Sequence, residues 1–223
     1  LHVGHGRGAV LGIALSNLLE NSGYEVTKEY YVNDAGRQIS ILTSSILLNA
    51  YVKEFEIEGI YEGNYIHELA KEFVSDQPKI NVAIDFKQLS DETEEKLDQV
   101  SEYFQRNHSK HWVTAKDFIV KKILLLIKNE LKSFNIIHDS WFHESSLGSI
   151  QDSNSSLAKS LSIIKNAGHT YSSEGAIWFK TTEFNDDKDR VLLRENGEPT
   201  YYLTDVGYHK HKIDREYDLY INI

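Results

Sequence analysis

The chain predicts an α/β fold. Three observations carry that expectation. The glycine-rich stretch His2-Val3-Gly4-His5-Gly6-Arg7-Gly8 opens directly onto an apolar helical pattern. Helix, strand and helix then alternate from Ala9 to about Phe55. Between that strand and the second helix, Asn33-Asp34 supplies turn and capping residues. A glycine-rich entry to the first helix of such a unit suggests a nucleotide fold, whose first strand would precede Leu1.

Each element has its own sequence reason. Ala9–Asn21 places Val10, Leu11, Ile13, Ala14, Leu15, Leu18 and Leu19 on one broad helical face, and Gly23 is positioned to stop it. Glu25–Val32 alternates and is rich in β-branched and aromatic residues, as a strand should be. Ala35 to about Phe55 returns to helical spacing. Ile66–Phe73 reads as a short helix, and Asp91–Phe104 as a charged amphipathic one opened by Ser90. Ala115–Phe134 is longer, with Phe118, Ile119, Ile123, Leu126, Ile127 and Leu131 expected inward. Beyond Ser140 the texture changes. Asp152–Ser156 reads as a polar loop, and Ala176–Lys180 and Arg190–Arg194 as strands. Asn196-Gly197 reads as a hairpin turn. Thr204-Asp205 is expected to cap a helix running to about Asp214, and Asp218–Ile223 to form a short strand.

Composition narrows the function classes. A formal net charge of −10 argues against a generally basic nucleic-acid binder, while leaving room for a local basic patch. The absence of cysteine excludes disulfides and thiolate zinc sites, and fits a reducing cytoplasm. The strongest apolar run, Ile123–Ile127, is flanked by lysines and far too short to span a bilayer, so no membrane association is expected. The chain starts at Leu1 and contains no methionine, which suggests a fragment.

The first motif has a physical rationale of its own. His2 and His5 lie three residues apart at a helix entry, so both rings fall on one face. Backbone N–H groups and the helix dipole favour a phosphate at that end. Gly4 lets a flat ring or a phosphate approach the main chain. The arrangement suits ATP and requires no covalent nucleophile.

Taken together, the motifs resemble one family, the class I arginyl-tRNA synthetases. His2-Val3-Gly4-His5-Gly6-Arg7-Gly8-Ala9 is similar to that family's HIGH signature. Tyr30-Tyr31-Val32-Asn33-Asp34-Ala35-Gly36-Arg37-Gln38 resembles its Asn-Asp-x-Gly-x-Gln block, and Tyr61-Glu62-Gly63-Asn64-Tyr65 its Tyr-x-Gly-x-Tyr segment. Asp139-Ser140-Trp141-Phe142 with Glu144-Ser145-Ser146-Leu147, Gly175–Phe179, Asp186–Val191 and Pro199–Asp205 continue the series in family order.

The resemblance implies a ligase that activates L-arginine with ATP and passes the arginyl group to the 3′ end of tRNA(Arg). ATP is then a substrate that carries Mg2+. His2 and His5 would be the catalytic donors, with His2, Gly4, His5 and Gly6 forming the ATP site. Tyr201 and Asp205 would recognise the guanidinium, which needs a facing carboxylate. A helix N-cap is the alternative role for Asp205, and the two are compatible. Asn33, Asp34 and Gln38 are candidates for active-site support, with helix capping as the alternative for the first two. Asp186-Asp187-Lys188-Asp189-Arg190 mixes charges and is expected to be an internally paired loop, not a metal site. The remaining histidines lack ligand spacing, so no metal site is expected.

The expected organisation is a Rossmann-type synthetase nucleotide-binding fold interrupted by an α+β connective insertion. Residues 1–50 would carry the ATP site, 51–197 the insertion, and 198–223 the return to the catalytic domain with the arginine pocket. The KMSKS-like loop and the anticodon-binding domain would be absent from this chain, and a monomer is expected. Two other readings compete. One is another HxGH-type nucleotidyltransferase, which shares only the first motif. The other is a non-catalytic synthetase-derived module that binds RNA or a protein partner.

Overall fold

The structure is a computed structural model that describes residues 3–223. Its contacts divide the chain into two compact units. Among the described residues the first comprises 3–26 with 33–137, and the second 27–32 with 138–223.

The first unit is helical: α1 (Val3–Asn21), α2 (Gly36–Tyr51), α3 (Asn64–Ser75), α4 (Thr93–Asn107) and α5 (Ser109–Ser133). Helix α2 is its centre. Every residue from Ile41 to Leu48 is buried, including Thr43, Ser44 and Ser45. A helix buried all round must satisfy its polar side chains internally. Thr43 and Ser45 donate back to the carbonyls of Ile39 and Ile41, Ser45 Oγ also accepts the Tyr61 N–H, and Ser44 meets Ser101 of α4 at 3.0 Å. Ile66 and Phe73 of α3, Val100 and Phe104 of α4, and Trp112 and Ile119 of α5 close around it. Ser90 was expected to open α4, but the helix starts at Thr93 with Glu92 as its N-cap; Ser90 stands just before it, its Oγ accepting the Glu92 N–H at 3.2 Å and donating to Glu95 at 2.7 Å.

Helix α1 begins at Val3, six residues earlier than the sequence pattern suggested, so Gly4–Gly8 is helical. Its end matches expectation. Gly23, at φ +91°, donates to Glu20 O, and Tyr24 donates to Leu19 O, which closes the helix as a Schellman motif. Its expected apolar face is not covered by the helices of its unit. Val10 and Leu18 are 54% and 66% exposed, and only Ser16 of α1 is buried. In α5, Leu126 was expected inward but is 55% exposed, because the inward stripe runs through Ala115, Ile119 and Leu131.

The second unit holds the strands. β1 (Glu29–Val32) and β2 (Ser140–His143) pair in parallel, with Tyr31 opposite Phe142. β3 (Thr170–Ser173), β4 (Ala176–Phe179) and β5 (Arg190–Leu193) form an antiparallel sheet. Helices α6 (Ser156–Asn166) and α7 (Tyr201–Ile213) pack on one another and share a core of Phe142, Leu147, Leu157, Leu161, Leu192 and Leu203. Parallel strands need a long crossover, and more than a hundred residues separate β1 from β2 in sequence, so the α/β class is borne out.

Several local expectations hold and others are corrected. Asn196-Gly197 is a turn, with Gly197 at φ +79° and Arg194 donating to Glu198 O. The polar loop expected at Asp152–Ser156 leads into helix α6, which the sequence pattern did not predict. Ser155 caps it by accepting the Ala158 N–H at 3.0 Å. Asp218–Ile223 is not a strand; Leu219, Ile221 and Ile223 are exposed and no ladder pairs them. Packing is close at Gly207 inside α7: a Cβ there would lie 3.3 Å from Leu147 and 3.4 Å from Leu157, so the Leu147 side chain would have to give by a few tenths of an ångström.

Beneath α7 lies a charged cluster. The Glu29 carboxylate accepts both Arg215 Nη groups at 2.7 and 2.8 Å, the Tyr208 hydroxyl at 2.7 Å and the Ser140 hydroxyl at 2.8 Å. Burial by itself pushes the Glu29 carboxyl up, but these hydrogen bonds and the Arg215 charge outweigh it and hold the group at about 2, against an ordinary 4.5. The folded value lies below the unfolded one. The stability Glu29 contributes is therefore fully present above about pH 4.5 and is lost as pH falls through 2. Thermal unfolding followed from pH 6 to pH 2 should show Glu29→Gln less stable at pH 6 and flatter in its acid dependence. Parallel curves for the two proteins would refute this.

Candidate functional site

The candidate residues fall into two groups, one in each unit. In the helical unit, His5 sits in the first turn of α1 with its side chain exposed. Gly4 and Gly6 flank it, and a Cβ built on Gly6 would meet nothing within 4 Å, so the main chain there is open to a ligand. His2 lies outside the described residues. Because α1 begins at Val3, the first turn of the helix is built from the motif itself.

Asn33 and Asp34 follow β1 directly, and Asp34 is buried. The expected capping role is not what α2 uses. Its N-cap is Ala35, in an extended conformation and without a side-chain cap bond. Gln38 is one turn further on, where its carbonyl accepts the Tyr61 hydroxyl at 2.8 Å. That bond ties the Asn-Asp-x-Gly-x-Gln block to the Tyr-x-Gly-x-Tyr segment.

In the strand-bearing unit, Tyr201 and Asp205 lie one turn apart on α7. Thr200, not Thr204 or Asp205, is the N-cap, so Asp205 is a second-turn residue. The capping role considered for Asp205 is thereby removed. The reason is the β5 turn: Thr200 N donates to Leu192 O at 3.0 Å and its Oγ1 to Val191 O, which starts the helix four residues early. Tyr201 is 60% exposed and Asp205 is also exposed. Asp205 lines an open concavity of about 500 Å³ between α6 and α7, with Tyr202, Val206 and His209.

Two residues of this neighbourhood escaped the sequence reading. Tyr31, on β1, hydrogen-bonds Glu144 and Thr204. Burial, followed by the carboxylates of Glu144 and Asp205, holds its phenol far above the ordinary range. Glu144 is itself buried and stands immediately after β2. Ligands of open parallel sheets gather outside the carboxyl ends of the strands, and Glu144 occupies such an end. Its visible signal was a glutamate placed directly after an alternating aromatic strand, Ser140-Trp141-Phe142-His143.

The acidic loop is internally paired, as its mixed charges implied. Arg190 grips Asp186 through Nε at 2.8 Å and Nη2 at 2.6 Å, and reaches Asp187 at 2.7 Å. Among the described residues, no group of three or more His, Asp or Glu side chains gathers to hold a metal ion. No helix of the described residues is long and apolar enough to cross a membrane.

Comparison with known proteins bears on the whole chain. Residues 1–221 match the family model described as tRNA synthetases class I (R), catalytic domain. The chain is 41% identical over 242 aligned positions to an arginine–tRNA ligase of Legionella pneumophila strain Corby, which covers all of this chain and 40% of that protein. It is 36% identical over 248 positions to an arginine–tRNA ligase of Psychrobacter arcticus, again covering all of this chain and 40% of that protein. A crystal structure from Campylobacter jejuni, whose description assigns it as an arginyl-tRNA synthetase, superposes with a TM-score of 0.69 at 35% identity. That match covers 97% of this chain and 42% of the solved one. The chain thus spans about 40% of the length of the curated relatives it matches.

Proposed function

The chain belongs to the class I arginyl-tRNA synthetase catalytic-domain family, and on that premise we propose that this protein serves the ATP-dependent charging of tRNA(Arg) with L-arginine. In the first step a carboxylate oxygen of arginine attacks the α-phosphorus of ATP. The new P–O bond forms as the bond to pyrophosphate breaks, giving arginyl-adenylate. In the second, a hydroxyl of the terminal adenosine of tRNA takes the arginyl group and AMP leaves. Both steps depend on positioning and charge stabilisation.

The single observation that carries this reading is the Tyr201–Asp205 pair. A carboxylate and a phenol one turn apart, both exposed on α7, present a fork for a guanidinium. Asp205 is not occupied in capping, so its charge is available to a ligand. In this proposal His2 and His5 donate to the phosphates in the transition state, and Gly4 and Gly6 admit the nucleotide. Asn33, Asp34 and Gln38 support the site, and Mg2+ enters with ATP as part of the substrate. Residues 1–50 and 198–223 carry the catalytic work, and 51–197 is the connective insertion. A monomer working in the cytoplasm completes the proposal.

The test is ATP–pyrophosphate exchange by the intact gene product, offered each amino acid with and without total tRNA. Exchange with arginine alone is expected. No exchange with any amino acid, tRNA included, would leave the non-catalytic binding module as the better reading.

A further inference from the structure

Helix α7, which bears Tyr201 and Asp205, is held at both ends. At its start, Thr200 bonds to the β5 carbonyls of Val191 and Leu192. At its other end, Tyr208 and Arg215 converge on Glu29 of β1 with hydrogen bonds of 2.7–2.8 Å. Lys212 is buried here, its ammonium 4.7 Å from the centre of the Tyr208 ring. The same ring packs 4.7 Å from Tyr31 and 4.7 Å from Phe142, on the two parallel strands. Glu29 is the carboxylate on which Arg215 and Tyr208 converge, and its side chain is 10% exposed.

A carboxylate that accepts four donors fixes direction as well as distance, because each donor approaches a separate lone-pair site. Tyr208 lies one turn beyond Asp205 (three residues), so a rotation or slide of α7 at Tyr208 passes directly to Asp205. Leu203 anchors α7 in the hydrophobic core, and Gly207 lets the helix approach Leu147 and Leu157 closely; the hydrogen bonds to Glu29 add a directional constraint to that packing.

We propose that Glu29 is a positioning residue whose grip on Arg215 and Tyr208 sets the seating of α7 and, through it, the aim of Tyr201 and Asp205 at the arginine side chain. The proposal rests on the synthetase reading given above. Glu29 touches no substrate; it acts through the helix.

The experiment measures KM for arginine and for ATP separately, with kcat, in the intact gene product with tRNA present. Wild type, Glu29→Gln and Tyr208→Phe are compared. Misplacement of a recognition group by a fraction of an ångström should raise the arginine KM about tenfold in Glu29→Gln. Tyr208→Phe removes one hydrogen bond without stranding a charge, and should raise it about threefold. The ATP KM should stay within about twofold in both. Folded variants with an unchanged arginine KM would overturn the proposal, and so would arginine and ATP KM values that rise together. Should Glu29→Gln fail to fold, Tyr208→Phe decides by the same criterion. A wild-type protein that shows no arginine dependence would instead overturn the underlying reading, a result visible before any variant is compared.

Discussion

Asp205→Ala should lower kcat/KM for arginine by about 100- to 1,000-fold, the loss expected when a charged partner is removed from a recognised guanidinium. The fold should survive. Asp205 is exposed and lies outside the core of Leu147, Leu157, Leu192 and Leu203, so the change should cost at most about 0.5 kcal/mol of stability. The KM for ATP should hardly move, because in the proposed role the carboxylate addresses the amino acid and not the nucleotide. Asp205→Asn keeps the shape and removes the charge. It should lose nearly as much as alanine if the guanidinium is read electrostatically, and Tyr201→Phe should lose far less. Steady-state exchange kinetics at saturating ATP measure all three. An arginine kcat/KM within threefold of wild type in Asp205→Ala would remove this residue from the pocket.

His5→Ala should act on the other half of the chemistry. A donor aimed at charge that develops only in the transition state contributes to kcat rather than to substrate binding. The expected loss is about 100- to 1,000-fold in kcat, with the arginine KM within about threefold. Since His5 is an exposed residue in the first turn of α1, its removal should leave the unfolding midpoint unchanged. His5→Asn retains an N–H donor and should recover part of the rate. Single-turnover adenylate formation separates these outcomes. A variant that loses arginine affinity while keeping kcat would place His5 in binding and not in catalysis.

Much of the candidate site is legible because its residues sit in short, ordered motifs. His5, Gly4 and Gly6 are visible as a histidine–glycine helix entry, and Tyr201 and Asp205 as members of a block in family order. Glu144 and Tyr31 were not singled out. Each looked like an ordinary member of its segment, and the hydrogen bond that joins them spans 113 positions of chain. The role of Glu29 was hidden for the same reason. Its partners Ser140, Tyr208 and Arg215 lie 111 to 186 positions away.

The boundary between the two sources of information follows the range of the forces. Periodicity, turn residues and charge mixing act over a few neighbours. The sequence therefore suffices for the α/β class, for the stop at Gly23, for the turn at Asn196-Gly197 and for the paired loop at Asp186–Arg190. Tertiary packing settled what local preference left open. It put the N-cap of α7 at Thr200, because β5 carbonyls bind that residue and release Asp205 from capping. It buried Ser44 and Ser45 of α2, because neighbouring helices and back-bonded hydroxyls satisfy them there. It also left Asp218–Ile223 without a ladder, since an apolar run becomes a strand only when another strand supplies the hydrogen bonds.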